Sequence, residues 1–166
     1  MSDHHGKLTL DGDQAVLTFV RHLPYPVEAV WSAIADPEQR AAWFGRTIIE
    51  GRAGGAIDMV PTGPANPVQD KRMTGRILVW DPPHVLEHEW KQALVEDGVV
   101  RYELLPDGDG DGTVLTFTHR GLSVPNAKEY GPGTHAYLDR LAAHLAGTRV
   151  PGWSARYEEA APDYPA

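Results

Sequence analysis

Thr134-His-Ala-Tyr-Leu-Asp-Arg-Leu-Ala-Ala-His-Leu-Ala-Gly147 is the stretch on which the fold turns. Leu138, Leu141, Ala142 and Leu145 recur at i, i+3, i+4 and i+7, so four apolar side chains share one face of a helix. Gly147 stands where a left-handed C-cap would, and Arg149 and Pro151 follow it, as suits a helix that has ended. Almost everything upstream reads as strand, and a sheet with one apolar face needs a partner layer. The pattern therefore predicts an α+β domain: a curved antiparallel sheet of about seven strands around this one long helix, with a pocket between them.

Outward from the helix, the β-branched and aromatic runs predict strands near 113–121, 99–105, 85–95, 73–80, 55–61, 46–51 and 15–23. Asp97-Gly98 is a hairpin signal, Asp81-Pro-Pro83 a turn, and the proline-rich run from Pro61 to Asp70 a loop. Two short helices separate the first strand from the second. Pro26 sits at the first helical position of one, with Val27, Val30, Trp31 and Ile34 on its buried face. Asp36-Pro37-Glu38-Gln39 opens the other as a capped start with a capping-box pattern, and it ends at Trp43-Phe44-Gly45. Between the last strand and the long helix, Gly131-Pro-Gly133 is expected to delay or kink the helix start. One domain over 1–154 and a tail over 155–166 are expected; Trp153, Tyr157 and Tyr164 either pack back on the body or on a second subunit, or belong to a disordered tail.

Composition narrows the function classes. With no cysteine there is no disulfide, thiol catalysis or thiolate metal site, which suits a reducing cytoplasm. No signal-type apolar segment and no membrane-length apolar run is visible. A net charge of −8 with 15 scattered basic residues argues against nucleic acid as a partner. No cofactor is expected, because Walker, dinucleotide-binding and Gly-x-Ser-x-Gly patterns do not occur. Asp107-Gly-Asp-Gly-Asp-Gly112 copies half of a calcium loop, but Thr118 stands at the twelfth position, so it reads as an acidic hairpin tip.

The run Arg21-His-Leu-Pro-Tyr-Pro-Val-Glu-Ala-Val-Trp-Ser-Ala-Ile-Ala-Asp-Pro-Glu38, followed by Ala42-Trp43-Phe44, resembles the opening signature of the START-related SRPBCC superfamily. Leu138-Asp-Arg-Leu-Ala-Ala-His-Leu145 is similar to the branch named after the activator of heat-shock-protein ATPase. The resemblance spans roughly 14–154 and implies a helix-grip fold with a ligand cavity of the birch-pollen-allergen type. Its members include lipid carriers, hormone receptors, aromatase/cyclase-type proteins and co-chaperone domains, so it implies no single activity. Members of the branch often carry Gly-Trp where Gly133-Thr134 stands here, which would trim one wall of the cavity.

Strand parity predicts what lines that cavity. Leu86, His88 and Trp90 alternate with the charged Glu87, Glu89 and Lys91, so the first set faces the helix. By the same rule Val100, Tyr102 and Leu104 point inward, as do Leu115, Phe117 and His119. Arg21 shares a face with Leu17, Phe19 and Leu23. Four inward polar groups (Arg21, His88, Tyr102 and His119) must be paired, hydrated or met by a ligand. His135, one turn before Leu138, adds to the cavity from the helix. The predicted ligand site is therefore Arg21, His88, Trp90, Tyr102, Phe117, His119, His135 and Leu138. No metal is expected, because His88, His119 and His135 share their faces with no carboxylate.

Three readings follow. The first is a binding module for a small hydrophobic or aromatic molecule, acidic if Arg21 anchors it. The second is a cyclase, dehydratase or hydrolase using a cavity histidine with Arg21 holding an oxyanion. The third is an interaction domain regulating a chaperone ATPase, or a homodimer. The enzyme reading requires two titratable groups within hydrogen-bond reach in one cavity; the binding reading does not.

Overall fold

The computed structural model describes residues 5–64, 66–108 and 111–164. Its element order is β1 (Lys7–Asp11), β2 (Gln14–Leu23), α1 (Val27–Ala35), α2 (Pro37–Trp43), β3 (Gly45–Ile49), β4 (Ala56–Pro61), α3 (Val68–Lys71), β5 (Met73–Asp81), β6 (Val85–Gln92), β7 (Gly98–Asp107), β8 (Gly112–Ser123), α4 (Val124–Leu145) and α5 (Trp153–Ala160). All eight strands form one antiparallel sheet in the order β1-β2-β8-β7-β6-β5-β4-β3. This is the helix-grip α+β fold, with one strand more than the patterning gave. The extra strand is β1, whose exposed, weakly alternating KLTLD segment pairs with β2 as a hairpin.

The alternation in β6, β7 and β8 holds as far as His119; beyond it β8 shifts by one residue at an irregularity around Gly121, which turns Leu122 inward. Leu86, His88, Val100, Tyr102, Leu104, Leu115, Phe117 and His119 are all buried. On the outer face Arg101 pairs with Glu87 at 3.1 Å, and Arg120 lies 3.6 Å from the same carboxylate. Register then sets neighbours that parity cannot. One inward row runs Phe19–Phe117–Tyr102–Leu86, and the next runs Leu17–His119–Val100–His88–Ile77. His88 and His119 therefore stand in the same row with one strand between them.

Two local expectations change. Helix α4 begins at Val124 rather than Thr134, with Ser123 accepting from Asn126 N and proline in the first turn. Pro132 lies inside it, so the helix runs through Gly131-Pro-Gly133 instead of starting after it. Asp36 caps α2 as expected, accepting from Glu38 N at 3.0 Å. Gln39 completes no capping box; its amide oxygen lies 3.1 Å from His144 Nε2 on α4.

The segment set apart as a tail is helical and packed. Trp153 lies where an added Cβ on Gly63 would meet its ring at 2.3 Å and one on Gly133 at 3.4 Å, so two glycines form its slot. Its indole Nε1 donates to the Gly133 carbonyl at 3.2 Å. Tyr164 rests on Gly131, and its hydroxyl accepts from Gly6 N at 2.7 Å, joining the two ends of the chain. Asp109 and Gly110 of the acidic hairpin tip lie outside the described residues.

Candidate ligand cavity

A cavity of about 470 Å³ lies between the sheet and α4. Its sheet wall comes from Trp90 on β6, Tyr102 on β7, and Phe117 and His119 on β8. Trp43 and Phe44, where α2 runs into β3, close one side, and Tyr130, Thr134, Tyr137 and Leu138 of α4 cover it. The remaining wall is Trp153 and Tyr157 of α5 together with the segment from Pro61 to Lys71. The indole of Trp153 lies against Gly133, next to Thr134, and forms part of this wall.

The aromatic walls are fixed by hydrogen bonds. Gln92 accepts from Trp90 Nε1 at 3.2 Å and from the Tyr130 hydroxyl, and its amide donates to the Lys71 carbonyl at 2.6 Å. Tyr137 donates to the Gly63 carbonyl at 2.7 Å and accepts from Gly63 N at 2.9 Å. Burial pushes the Tyr130 hydroxyl up to about 12 and raises that of Tyr137 further. Neither ionises near neutral pH. Gly98 carries no side chain between Trp90 and His119, and their rings approach to 5.3 Å.

Of the predicted site residues, Trp90, Tyr102, Phe117, His119 and Leu138 line this cavity. Three do not. His88 is fully buried behind the wall, stacked on Trp90 at 6.3 Å, with Nδ1 2.9 Å from the Glu89 carbonyl. Arg21 sits on the other side of α4, where Nη1 donates to Asp139 Oδ1 at 2.9 Å. His135 faces the same region, 3.4 Å from Asp139 and 2.9 Å from the Tyr164 hydroxyl. Arg156 of α5 also bonds Asp139. Burial alone would raise Asp139, but the bonds from His135 and Arg156 and the charge of Arg21 hold it well below the usual carboxylate range.

Sequence reasoning missed Arg40. It is fully buried, donating Nη1 to the Ile34 carbonyl at 2.8 Å and Nη2 to the Tyr102 hydroxyl at 3.1 Å. Its guanidinium lies 4.9 to 5.2 Å from the ring centres of Phe44, Trp43 and Tyr102. The signal was present: Arg40, Trp43 and Phe44 are spaced i, i+3, i+4 on α2. Tyr130, seven residues before Tyr137 on α4, lies ahead of the predicted helix, while Tyr137 lies within it but off the Leu138–Leu141 stripe; both line the cavity. Burial depresses His88 to about 4 and His119 to about 3, so both are neutral at pH 7.

Residues 24–146 match the family described as Activator of Hsp90 ATPase homolog 1-like protein. The chain belongs to this family. Among solved structures, this family member resembles CalU16 from Micromonospora echinospora, at 25% identity over 96% of this chain and 92% of that one, with a TM-score of 0.73. It also resembles the protein encoded by gene BPP1335 of Bordetella parapertussis, at 28% identity over 93% and 86% with a TM-score of 0.71. The Enterococcus faecalis protein of unknown function EF2215 shares the fold at 16% identity, over 97% and 92%, with a TM-score of 0.69. No curated protein matches. No helix among the described residues is long and apolar enough to cross a membrane.

Proposed function

We propose that this member of the activator-of-Hsp90-ATPase-homologue family binds a small apolar or aromatic molecule between its sheet and α4. The supporting observation is the cavity: its volume falls within the roughly 300–1,000 Å³ of small-molecule sites, and its walls are tryptophan, phenylalanine, tyrosine and leucine held in place by hydrogen bonds. The enzyme reading asked for two titratable groups within hydrogen-bond reach in one cavity. Here His119 lines the wall with Tyr102, but its Nε2 has no hydrogen-bond partner and His88 stands behind the wall, which favours binding over acid–base catalysis. The cysteine-free composition suits a reducing compartment, and we place this binding in the cytoplasm.

Nile red, a neutral dye, should bind saturably and be displaced by naphthalene derivatives, with quenching of tryptophan emission from Trp43, Trp90 and Trp153. Thr134→Trp, which places an indole in the void, should abolish binding while the protein keeps a cooperative melt. Dye fluorescence that never saturates in the unmodified protein would reject the proposal.

A further inference from the structure

The deep wall of the cavity carries a charge that the fold does not balance. Arg40 is 0% exposed, and its partners are a carbonyl, a phenol and three aromatic rings. No carboxylate pairs with it among the described residues, and its Nε has no hydrogen-bond partner. The C-terminal end of α1, through Ile34, offers only the partial negative charge of a helix terminus. The neighbouring histidines add hydrogen-bonding capacity and no negative charge. Nε2 of both His88 and His119 is buried without a partner, although buried polar atoms are nearly always satisfied.

Two of these groups reach the cavity. Tyr102 and His119 both line it. Because the Tyr102 hydroxyl accepts from Arg40 Nη2, its own hydrogen is left to donate. His119 is neutral and carries one imidazole N–H. The charged side chains on the lining lie toward its rim: Glu129 is exposed, and Asp70 and Lys71 are half-buried beside the exposed Asn66 and Leu94 that mark the mouth. Lys71 offsets one of the two acids there, and a negatively charged head is drawn toward the Arg40 charge at the deep wall.

We infer that the cavity, on the binding reading above, selects organic anions: a flat apolar or aromatic body enters with its carboxylate, or its ionised phenol or enol, against Tyr102 and His119, with the Arg40 charge behind them. Charge-assisted hydrogen bonds of this kind are stronger than neutral ones, and the low-dielectric setting leaves the Arg40 charge little screened. Arg40 acts as a positioning and polarising residue through Tyr102, while Tyr102 and His119 touch the ligand.

The test compares 2-naphthoate with 2-naphthamide at pH 7 by titration calorimetry. The acid should bind at least about tenfold tighter, a difference of about 1.4 kcal/mol. Tyr102→Phe, which removes one oxygen, should weaken naphthoate binding more than naphthamide binding and bring that ratio close to one; Arg40→Met should do the same. Equal binding of acid and amide by the unmodified protein, or a preference that survives both substitutions, would overturn the inference and leave the binding reading standing. Binding of neither compound would overturn both. A second measurement needs no variant: 4-nitrophenol in the cavity should ionise at lower pH than in water, seen by its absorbance, and an unchanged or raised bound pKa would equally reject anion selection.

Discussion

Three arginines are buried in this protein; Arg140 donates to the Trp43 and Pro151 carbonyls away from the cavity lining, and the other two are met in contrasting ways. Arg21, on β2, ends against Asp139, a carboxylate that also bonds Arg156 and lies near His135. Arg40, on α2, ends against a phenol, a carbonyl and ring faces, with the neutral His88 nearby. Burial lowers the pKa of both guanidinium groups; for Arg21 the charge and hydrogen bond of Asp139 oppose that effect, for Arg40 only Tyr102 does. A buried cation with its anion built in is scaffold. One whose anion is missing, beside a cavity, is a place for a ligand.

The contrast is most exposed to acid. His88 and His119 keep folded-state pKa values of about 4 and 3, below the 6.5 of an unfolded histidine. Between those values the unfolded chain binds the protons that the folded chain refuses, so stability is full above pH 6.5 and falls as pH drops toward 4. The pair should cost on the order of 5 kcal/mol over that window. His119→Phe should remove about half of that slope in urea titrations at stepped pH. The Asp139 network is lost only below the unfolded carboxylate value of 3.8, because its pKa is depressed. Stability that stays flat from pH 6.5 to 4.5 would mean the deep wall already holds a counter-charge.

Next in size is Arg21→Met. It removes one partner of a paired carboxylate and should destabilise by about 3 kcal/mol, the low end for such changes because Arg156 still holds Asp139. Anion preference should not change. Arg40→Met should be the mildest for stability, within about 1 kcal/mol, because the desolvation cost of the cation leaves with it and no carboxylate is stranded. Urea midpoints of the ligand-free proteins measure both. If Arg40→Met is the more damaging of the two, the contrast fails and Arg40 is scaffold as well.

The strand faces were legible before any coordinates. Alternation placed His88, Trp90, Tyr102, Phe117 and His119 inward, and all five are buried. The stripe around Leu138 and Leu141 identified the helix that the sheet grips, while its first ten residues stayed hidden because Gly131-Pro-Gly133 looks like a break and Ser123 is an isolated cap. A cap followed by proline two residues later was the available signal.

What the sequence determined by itself is what local periodicity can encode: which side of a strand or helix is apolar, and hence a sheet closed over one helix. Periodicity fixes a face and says nothing of position along it. Arg21 and Tyr102 share the inner face of one sheet, yet the sheet is wider than the cavity, and only register and the path of α4 place one beside Asp139 and the other at the ligand wall. The tertiary structure likewise decided that Trp153 fills the slot between Gly63 and Gly133, a contact across 90 and 20 residues that no local pattern can carry. Pairing of a buried charge is a long-range property. It was decided where chain segments far apart in sequence close on one another.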